Sequence, residues 1–150
     1  MSGLIKSGLV SVSFRKLSPE KIVSMVAAAG LDGIEWGGDV HVPHGDVREA
    51  ENVRNLTVSA GLDVASYGSY YRAGVSEGEG LAFNHVLQSA LALGAPAIRV
   101  WCGNKGSAQA THEVWGEVTN DLRRIGNMAG EKGITVTCEY HGGTLTDTSE

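Results

Sequence analysis

Short strand-like segments alternate with longer helix-like segments along almost the whole chain. Five segments read as strands, since apolar and polar residues alternate in them: "GLVSVSFR", "LDGIEWGG", "LDVASYGSYY", "AIRVWCG" and "ITVTCEYHGG". Between them lie four segments of helical character: "SPEKIVSMVAAAG", "DVREAENVRNLTVSAG", "GEGLAFNHVLQSALALGAP" and "ATHEVWGEVTNDLRRIGNMAGEKG". Strands that alternate with helices are joined by crossover connections, so the pattern predicts an α/β protein with a parallel sheet.

The ends of the helical segments carry residues that are typical of helix boundaries. Ser18, Pro19 and Glu20 supply an N-cap, a first-turn proline and a first-turn carboxylate for the first helix. Glycines occupy the positions where C-terminal caps are expected: Gly30, Gly61, Gly94 and Gly133. The helix boundaries therefore support the alternation predicted from periodicity.

The alternation of side chains between the two faces of each strand, here called parity, distinguishes an open sheet from a barrel. Four strands share a polar or small-residue face: Ser11, Ser13 and Arg15; Gly33, Glu35 and Gly37; Ala97, Arg99, Trp101 and Gly103; Thr135, Thr137, Glu139 and His141. The opposite face is apolar: Val10, Val12, Phe14, Ile34, Trp36, Ile98, Val100, Cys102, Ile134, Val136 and Cys138. A sheet between two helix layers needs two apolar faces. One apolar and one polar face instead predict a barrel with helices outside and a site inside; the third strand gives no clear parity.

The length of the chain allows only part of such a barrel. A closed (β/α)8 TIM barrel needs eight βα units in about 250 residues. The 150 residues supply four units and a fifth strand. We therefore predict a single domain over residues 1–150 that forms the N-terminal part of a TIM barrel. The closing "TDTSE" is typical of a helix start, so we expect truncation before helix five.

Composition argues against several classes of partner. The chain has 12 Lys+Arg against 17 Asp+Glu and a net charge of -5, which is not the footprint of a nucleic-acid binder. No apolar run reaches the roughly 20 residues that span a bilayer. Cys102 and Cys138 lack CxxC spacing, and no secretory leader opens the sequence. We expect a cytoplasmic protein that binds neither nucleic acid nor membrane.

Three segments resemble a known family in their order and spacing. They are "GLDGIEWGGDVHVP" after the first helix, "LGAPAIRVWCG" at the fourth strand and "VTCEYHGGTLTDT" at the fifth. The chain resembles the sugar phosphate isomerase/epimerase family, the xylose isomerase-like TIM barrels. This resemblance implies a sugar or sugar phosphate as substrate, and a divalent metal (manganese, magnesium or zinc) at the C-terminal mouth of the full-length barrel.

The resemblance also implies a role for Glu139. In the family, acidic and histidine residues of strands five to eight hold the metal, and Glu139 matches the first of these ligands. The metal stabilises an enediolate while carboxylates move the proton next to a carbonyl, so Glu139 is expected to be catalytic as well. The alternative is a structural ion pair between Glu139 and Arg99 on the neighbouring strand. Because one carboxylate cannot complete a metal site, we expect this chain alone to be inactive and to bind no metal tightly.

Three other residues are candidates for substrate binding at the same mouth. Glu35 ends the second strand, although a salt bridge to Arg15 or Arg99 is an equal alternative. His141 lies two residues beyond Glu139, and its alternative is a loop histidine without a role. Trp101 is the tryptophan expected to line the pocket. By parity and helix position, the other two tryptophans, Trp36 and Trp115, are assigned to the core.

Two further functions fit the same pattern. The first is a barrel of the apurinic-site endonuclease type, which the acidic charge disfavours because that enzyme must grip DNA. The second is a non-catalytic half-barrel that serves as a binding or assembly module. In either case the uncovered edge strands and the adjoining faces of the first and fourth helices predict a homo-oligomer.

Overall fold

The computed structural model describes residues 5–149. In this part of the chain, strands and helices alternate in the order β1 (Gly8–Val10), α1 (Pro19–Ala28), β2 (Gly33–Gly37), α2 (Val47–Ser59), β3 (Asp63–Arg72), α3 (Phe83–Leu93), β4 (Ala97–Trp101), α4 (His112–Gly130) and β5 (Thr135–Cys138). Two short 3-10 helices cover Ser11–Phe14 and Ser107–Gln109. The five strands form one parallel sheet in chain order. This is the order of strands in a TIM barrel, as predicted.

The predicted glycine caps adopt the conformation that ends a helix. Their φ angles are all left-handed: 69° at Gly30, 76° at Gly61, 73° at Gly94 and 74° at Gly133. Ser18 occupies the N-cap position of α1 and Pro19 its first turn, but the Ser18 side chain makes no capping hydrogen bond. The helix boundaries thus follow the sequence closely, although Ser18 does not use its side chain as a cap.

The sheet has one dry face and one wet face. Ile34, Trp36, Tyr67, Ile98 and Val100 are fully buried on the side that the helices cover. The helices supply the other half of this core with Ile22, Val26, Val53, Phe83, Val86, Leu93 and Ile125. On the other side of the sheet, Glu35, Arg99, Thr137 and Glu139 are partly or largely accessible. The predicted parity is confirmed for β2, β4 and β5. Cys138 at the end of β5 is nevertheless exposed rather than covered by helices, because β5 is the last strand of the described sheet and pairs only with β4.

The parity predicted for the first strand was wrong. Val10 pairs with Glu35 and therefore lies on the polar face, while Leu9 pairs with Ile34 on the helix face. The strand ends at Val10 because the chain turns into a 3-10 helix, where alternation no longer applies. Ser11 is consequently buried, and its hydroxyl accepts the Gly37 N–H at 2.9 Å. Gly37 must lack a side chain, since a Cβ there would lie 2.3 Å from Val12 Cγ1.

Strand β3 is irregular, which explains why its sequence gave no parity. Its register shifts once against β2, near Ala65, and once against β4, between Gly68 and Arg72. Tyr70 lies within the second irregularity with a φ of 57° and is the one non-glycine residue of the described chain in the left-handed region. The shift leaves Tyr67 and Tyr71 in the core and sets Tyr70 apart from them.

One other expectation differs from the structure. Trp115 is 44% exposed rather than buried, because Val118, Ile125 and Ala129 supply the buried stripe of α4 and Trp115 lies beside that stripe. Residues 146–148 form turns and bends, and the start of a fifth helix stays a prediction. Within them the Asp147 carboxylate accepts the Ser107 hydroxyl at 2.6 Å. Glu150, the last residue of the predicted helix start, lies outside the described residues.

No helix among residues 5–149 is long and apolar enough to cross a membrane.

Candidate functional site

Arg99 is the centre of a charged cluster on the wet face of the sheet. Its side chain lies between β2 and β5 because the register places it beside Gly68 on one side and Thr137 on the other. Its Nε and Nη2 donate to Glu35 Oε1 at 3.0 and 2.7 Å, and its Nη1 donates to Glu139 Oε2. A single guanidinium therefore joins the carboxylates of two strands that are not neighbours in the sheet.

Gly68 makes room for this cluster. A Cβ at Gly68 would lie 2.8 Å from Arg99 Nη2 and 2.9 Å from Glu35 Oε1, which is closer than van der Waals contact permits. The glycine therefore allows the arginine and the carboxylate to meet directly above the β3 backbone.

Glu139 has one committed and one open carboxylate oxygen. Its Oε2 accepts from Arg99 Nη1 and also from the indole Nε1 of Trp101. Its Oε1 accepts no hydrogen bond from residues 5–149, and the side chain is 31% exposed. Two donors thus fix the orientation of the carboxylate and leave one oxygen available to a ligand.

Glu35 differs from Glu139, because both of its oxygens are occupied. Its Oε1 accepts two hydrogen bonds from Arg99 and its Oε2 accepts the Ser66 hydroxyl. The side chain is only 15% exposed. Of the two alternatives weighed for Glu35, the structure contains the salt bridge to Arg99; Arg15 pairs with Asp39 instead. In this arrangement Glu35 positions Arg99, and a direct contact with substrate stays a prediction.

Three aromatic rings lie next to Glu139, and one of them, Trp101, donates its indole N–H to the carboxylate. Trp101 and His141 stack with ring centroids 4.2 Å apart and an interplanar angle of 29°. Tyr70 meets Trp101 edge-on at 5.3 Å, and its hydroxyl accepts from Arg15 Nη2 at 3.1 Å. The hydrogen bond to Asp39 raises the pKa of Arg15 above its usual value. These three rings, Trp101, His141 and Tyr70, are called the aromatic wall below, and they lie beside the charged cluster around Arg99.

The structure brings all four predicted site residues to one edge of the sheet. Glu139 bonds Trp101, Trp101 stacks on His141, and Arg99 connects Glu139 to Glu35. Sequence reasoning did not identify Tyr70 or Arg72 as part of this cluster. Tyr70 could not be assigned without knowing the irregular register of β3, and Arg72 follows the same irregularity.

This cluster can supply one ligand atom to a site for a hard cation. Carboxylate oxygen is a preferred ligand of Mg²⁺ and Mn²⁺ and is also accepted by Zn²⁺, so Glu139 Oε1 suits all three. Among residues 5–149, however, no group of three His, Cys, Asp or Glu side chains is arranged to hold a metal. The metal role of Glu139 is compatible with this geometry and stays a prediction.

Several solved structures share this fold. The probable 3-DHS dehydratase AsbF, involved in petrobactin synthesis in Bacillus anthracis, is 24% identical with a TM-score of 0.76, covering 95% of this chain and 55% of its own. A xylose isomerase domain protein from Planctomyces limnophilus is 12% identical with a TM-score of 0.68, covering 92% and 55%. One from Salmonella typhimurium is 19% identical with a TM-score of 0.66, covering 91% and 51%. At these identities the likeness shows the fold alone.

These comparisons also fix the extent of the chain within its family. It spans about half the length of these three structures. No curated protein sequence matches it. The sequence pattern of the xylose isomerase-like TIM barrel matches residues 23–150, which is most of the chain. The chain therefore belongs to the xylose isomerase-like TIM barrel family.

Proposed function

We propose that this chain is the N-terminal part of a metal-dependent isomerase or epimerase that acts on a sugar or sugar phosphate. The observation that carries the proposal is the carboxylate of Glu139. It lies just beyond the C-terminal end of a parallel strand, its orientation is fixed by Arg99 and Trp101, and one oxygen is open. Barrel enzymes place their catalytic groups at this end of the strands.

The side chains around Glu139 suit a small polyhydroxylated substrate. The His141 and Tyr70 rings, which pack against Trp101, offer apolar surface to the C–H face of a sugar. Because Oε1 is the open oxygen of Glu139, it would serve one of two roles. It would either hold a divalent cation, which would supply charge stabilisation to the enediolate, or act as the base that accepts the proton next to the carbonyl and returns it to a neighbouring carbon.

Arg99 has a distinct part in this proposal. It neutralises Glu35 and Glu139 together and so allows two carboxylates to stand on one face of the sheet. Without that cation the two negative charges would repel each other across the face of the sheet.

A second candidate is a dehydratase. The Bacillus anthracis structure, which is named as a probable dehydratase, has the highest TM-score of the three described above, 0.76. Elimination of water next to a carbonyl begins with removal of the same kind of proton, so an oriented carboxylate such as Glu139 serves either reaction. The endonuclease is a weaker candidate because a net charge of -5 does not suit DNA binding, and the non-catalytic half-barrel because it does not explain an oriented carboxylate with an open oxygen.

Paramagnetic broadening by Mn²⁺ tests the role of Glu139 in the chain as it exists. The indole N–H of Trp101 donates to Glu139, so substoichiometric Mn²⁺ bound at Oε1 should broaden the Trp101 indole signal in a ¹H–¹⁵N spectrum. The buried indole of Trp36 serves as an internal reference. We expect E139Q to abolish the selective broadening and E113Q, on exposed α4, to leave it unchanged. Equal broadening in E139Q would refute the proposal.

We also propose that a second copy of the chain covers the open sheet edges. Strand β1 is one end of the sheet and β5 is the other, and each pairs with a single neighbour among residues 5–149. Unpaired parallel edges favour association with another strand. Sedimentation or light scattering at micromolar concentration should therefore detect a dimer or a higher oligomer.

A further inference from the structure

Arg72 lies at the end of β3, directly over the aromatic wall. Its register partner in β4 is Trp101, and the central carbon of its guanidinium is 5.0 Å from the Trp101 ring centroid. The same indole donates its N–H to Glu139. The Trp101 ring thus contacts both the guanidinium of Arg72 and the carboxylate of Glu139.

Arg72 differs from the other arginines of this cluster in its charge balance. Arg15 is paired with Asp39, and Arg99 is paired with both Glu35 and Glu139. The guanidinium of Arg72 makes no ion pair or hydrogen bond with any side chain in residues 5–149. It rests on the indole through a cation–π contact, which leaves its N–H donors available.

The backbone places this arginine at some conformational cost. Tyr70 adopts a left-handed φ of 57°, which costs a non-glycine residue on the order of 1 kcal/mol or more. The irregularity pairs Arg72 with Trp101 in the register. The backbone N–H of Arg72 donates to the buried Ser76 hydroxyl at 2.8 Å. Strain of this kind persists where the surrounding structure fixes it, and it is concentrated at functional sites.

We propose that Arg72 binds the anionic group of the substrate, a phosphate or a carboxylate, and so makes this enzyme selective for charged substrates. The inference rests on the proposed function, since the anion would be one end of the molecule whose carbonyl end meets Glu139. A guanidinium presents parallel N–H donors that match two oxygens of either group. The subsite lies after the third strand, apart from the phosphate site that TIM barrels commonly build after strands seven and eight.

Anion titrations of the chain without metal test this subsite separately from the role of Glu139. The three indole N–H signals are assigned with W36F, W101F and W115F, and the spectra are followed while chloride is replaced by inorganic phosphate or by acetate at constant ionic strength. We expect a saturable shift of the Trp101 signal, with an apparent Kd in the millimolar range, while the buried Trp36 signal stays fixed. The R72Q variant should weaken this binding at least about tenfold, which corresponds to about 1.4 kcal/mol.

Two variants control for charge and for folding. R123Q removes the same charge from an exposed position on α4, where Arg123 contacts only Asn120 among the described side chains, and should bind the anion as the wild type does. R72K keeps the charge but not the planar fork, so its affinity should lie between wild type and R72Q. Thermal unfolding of each variant confirms that it is folded.

Each outcome has a distinct meaning. Saturation by phosphate alone identifies a phosphate ester as the substrate class, and saturation by acetate as well extends it to carboxylates. No saturable shift up to about 50 mM of either anion, which means negligible affinity, would overturn the proposal and leave Arg72 as a packing residue. Equal affinities of wild type and R72Q would overturn it too. Because no metal is present, failure of the Mn²⁺ experiment with E139Q would leave this result unaffected.

Discussion

The two faces of the five-stranded sheet are built from the same strands but have different roles. On the helix side, Ile34, Trp36, Tyr67 and Ile98 are fully buried and pack against the helices. On the other side, one residue along in sequence, Glu35 and its neighbours make charged contacts and stay partly accessible. In a β-strand successive side chains point to opposite faces, so a single strand can contribute to both.

This contrast separates stability from chemistry within each strand. Burial of apolar side chains stabilises a fold by about 25 cal/mol per Å² removed from water, and the helix side contains most of that area. The wet face contributes little of it and instead holds ionised groups in fixed positions. Substitutions on the helix side should therefore unfold the protein, while those on the wet face should mainly change binding and pH behaviour.

The largest effect should come from Trp36. Replacement of this fully buried ring by alanine removes its packing and its hydrogen bond to Thr57 Oγ1, which measures 3.1 Å. We expect W36A to lower the free energy of unfolding by about 3–5 kcal/mol, measured by urea denaturation. W36F keeps the ring packing and should lose less. A W36A cost below about 1 kcal/mol, the level of a surface substitution, would contradict the division between the two faces.

A smaller effect, caused by unpaired charge, should follow from R99M. Without the cation, the carboxylates of Glu35 and Glu139 lose their shared partner while remaining partly shielded from water. We expect a loss of about 1–3 kcal/mol at pH 7, because two charged groups are left unpaired.

The control for R99M is the double variant R99M/E35Q. It removes one of the two facing charges and should recover part of the stability at pH 7. If R99M/E35Q were as destabilised as R99M, the cost would be one of packing rather than of charge.

His41 is a buried polar residue and should make the free energy of unfolding depend on pH. Burial lowers its pKa below the ordinary value of 6.5, while its nitrogens contact Ser11 Oγ at 2.9 Å and the Leu17 carbonyl at 3.2 Å. The unfolded chain therefore takes up a proton at higher pH than the native chain. Stability should be complete above pH 6.5 and decline as the pH falls through the window between the unfolded and native pKa values.

Urea denaturation between about pH 7.5 and 5.5, a range that spans the ordinary histidine pKa, measures this decline. H41Q should flatten the dependence in that window, while H112Q, at an exposed position of α4, should not. An unchanged pH dependence in H41Q would show that another group is responsible.

The smallest effect should be that of Thr135. Thr135 is exposed on the wet face, and its neighbour Ile134 is only 6% exposed toward the helices. We expect T135A to cost less than about 1 kcal/mol and I134A about 2–4 kcal/mol, since only the latter opens a cavity. The pair compares the two faces at adjacent positions, and similar losses for both would remove the distinction.

Sequence periodicity predicted the features of this fold that depend on local alternation. The order of elements, the four glycine caps and the parity of β2, β4 and β5 are all confirmed, because each follows from repeats of two or 3.6 residues. The first strand and β3 escaped prediction because a 3-10 turn and two register shifts interrupt the repeat. The exposure of Trp115 was not predicted because residues at the boundary between the covered and exposed sides of a helix can lie on either side.

The candidate site was predictable where it lay on regular strands. Glu139, Trp101, Glu35 and His141 fall at strand ends of known parity, and the structure places them together. Their chemical roles stay predictions. The position of Arg72 depends on Tyr70 adopting a left-handed conformation, which tyrosine seldom does and which no local pattern indicates.

The outer edge of β5 has a consequence for amide hydrogen exchange. The N–H groups of Thr135 and Glu139 donate to Pro96 and Val100 of the β4 side, so they should exchange slowly. Alternate amides of an edge strand point away from the sheet, and those of Val136 and Cys138 should therefore exchange at nearly the rate of an unstructured chain. Slow exchange at these two amides, but only at high protein concentration, would locate the subunit contact at this strand, residue by residue.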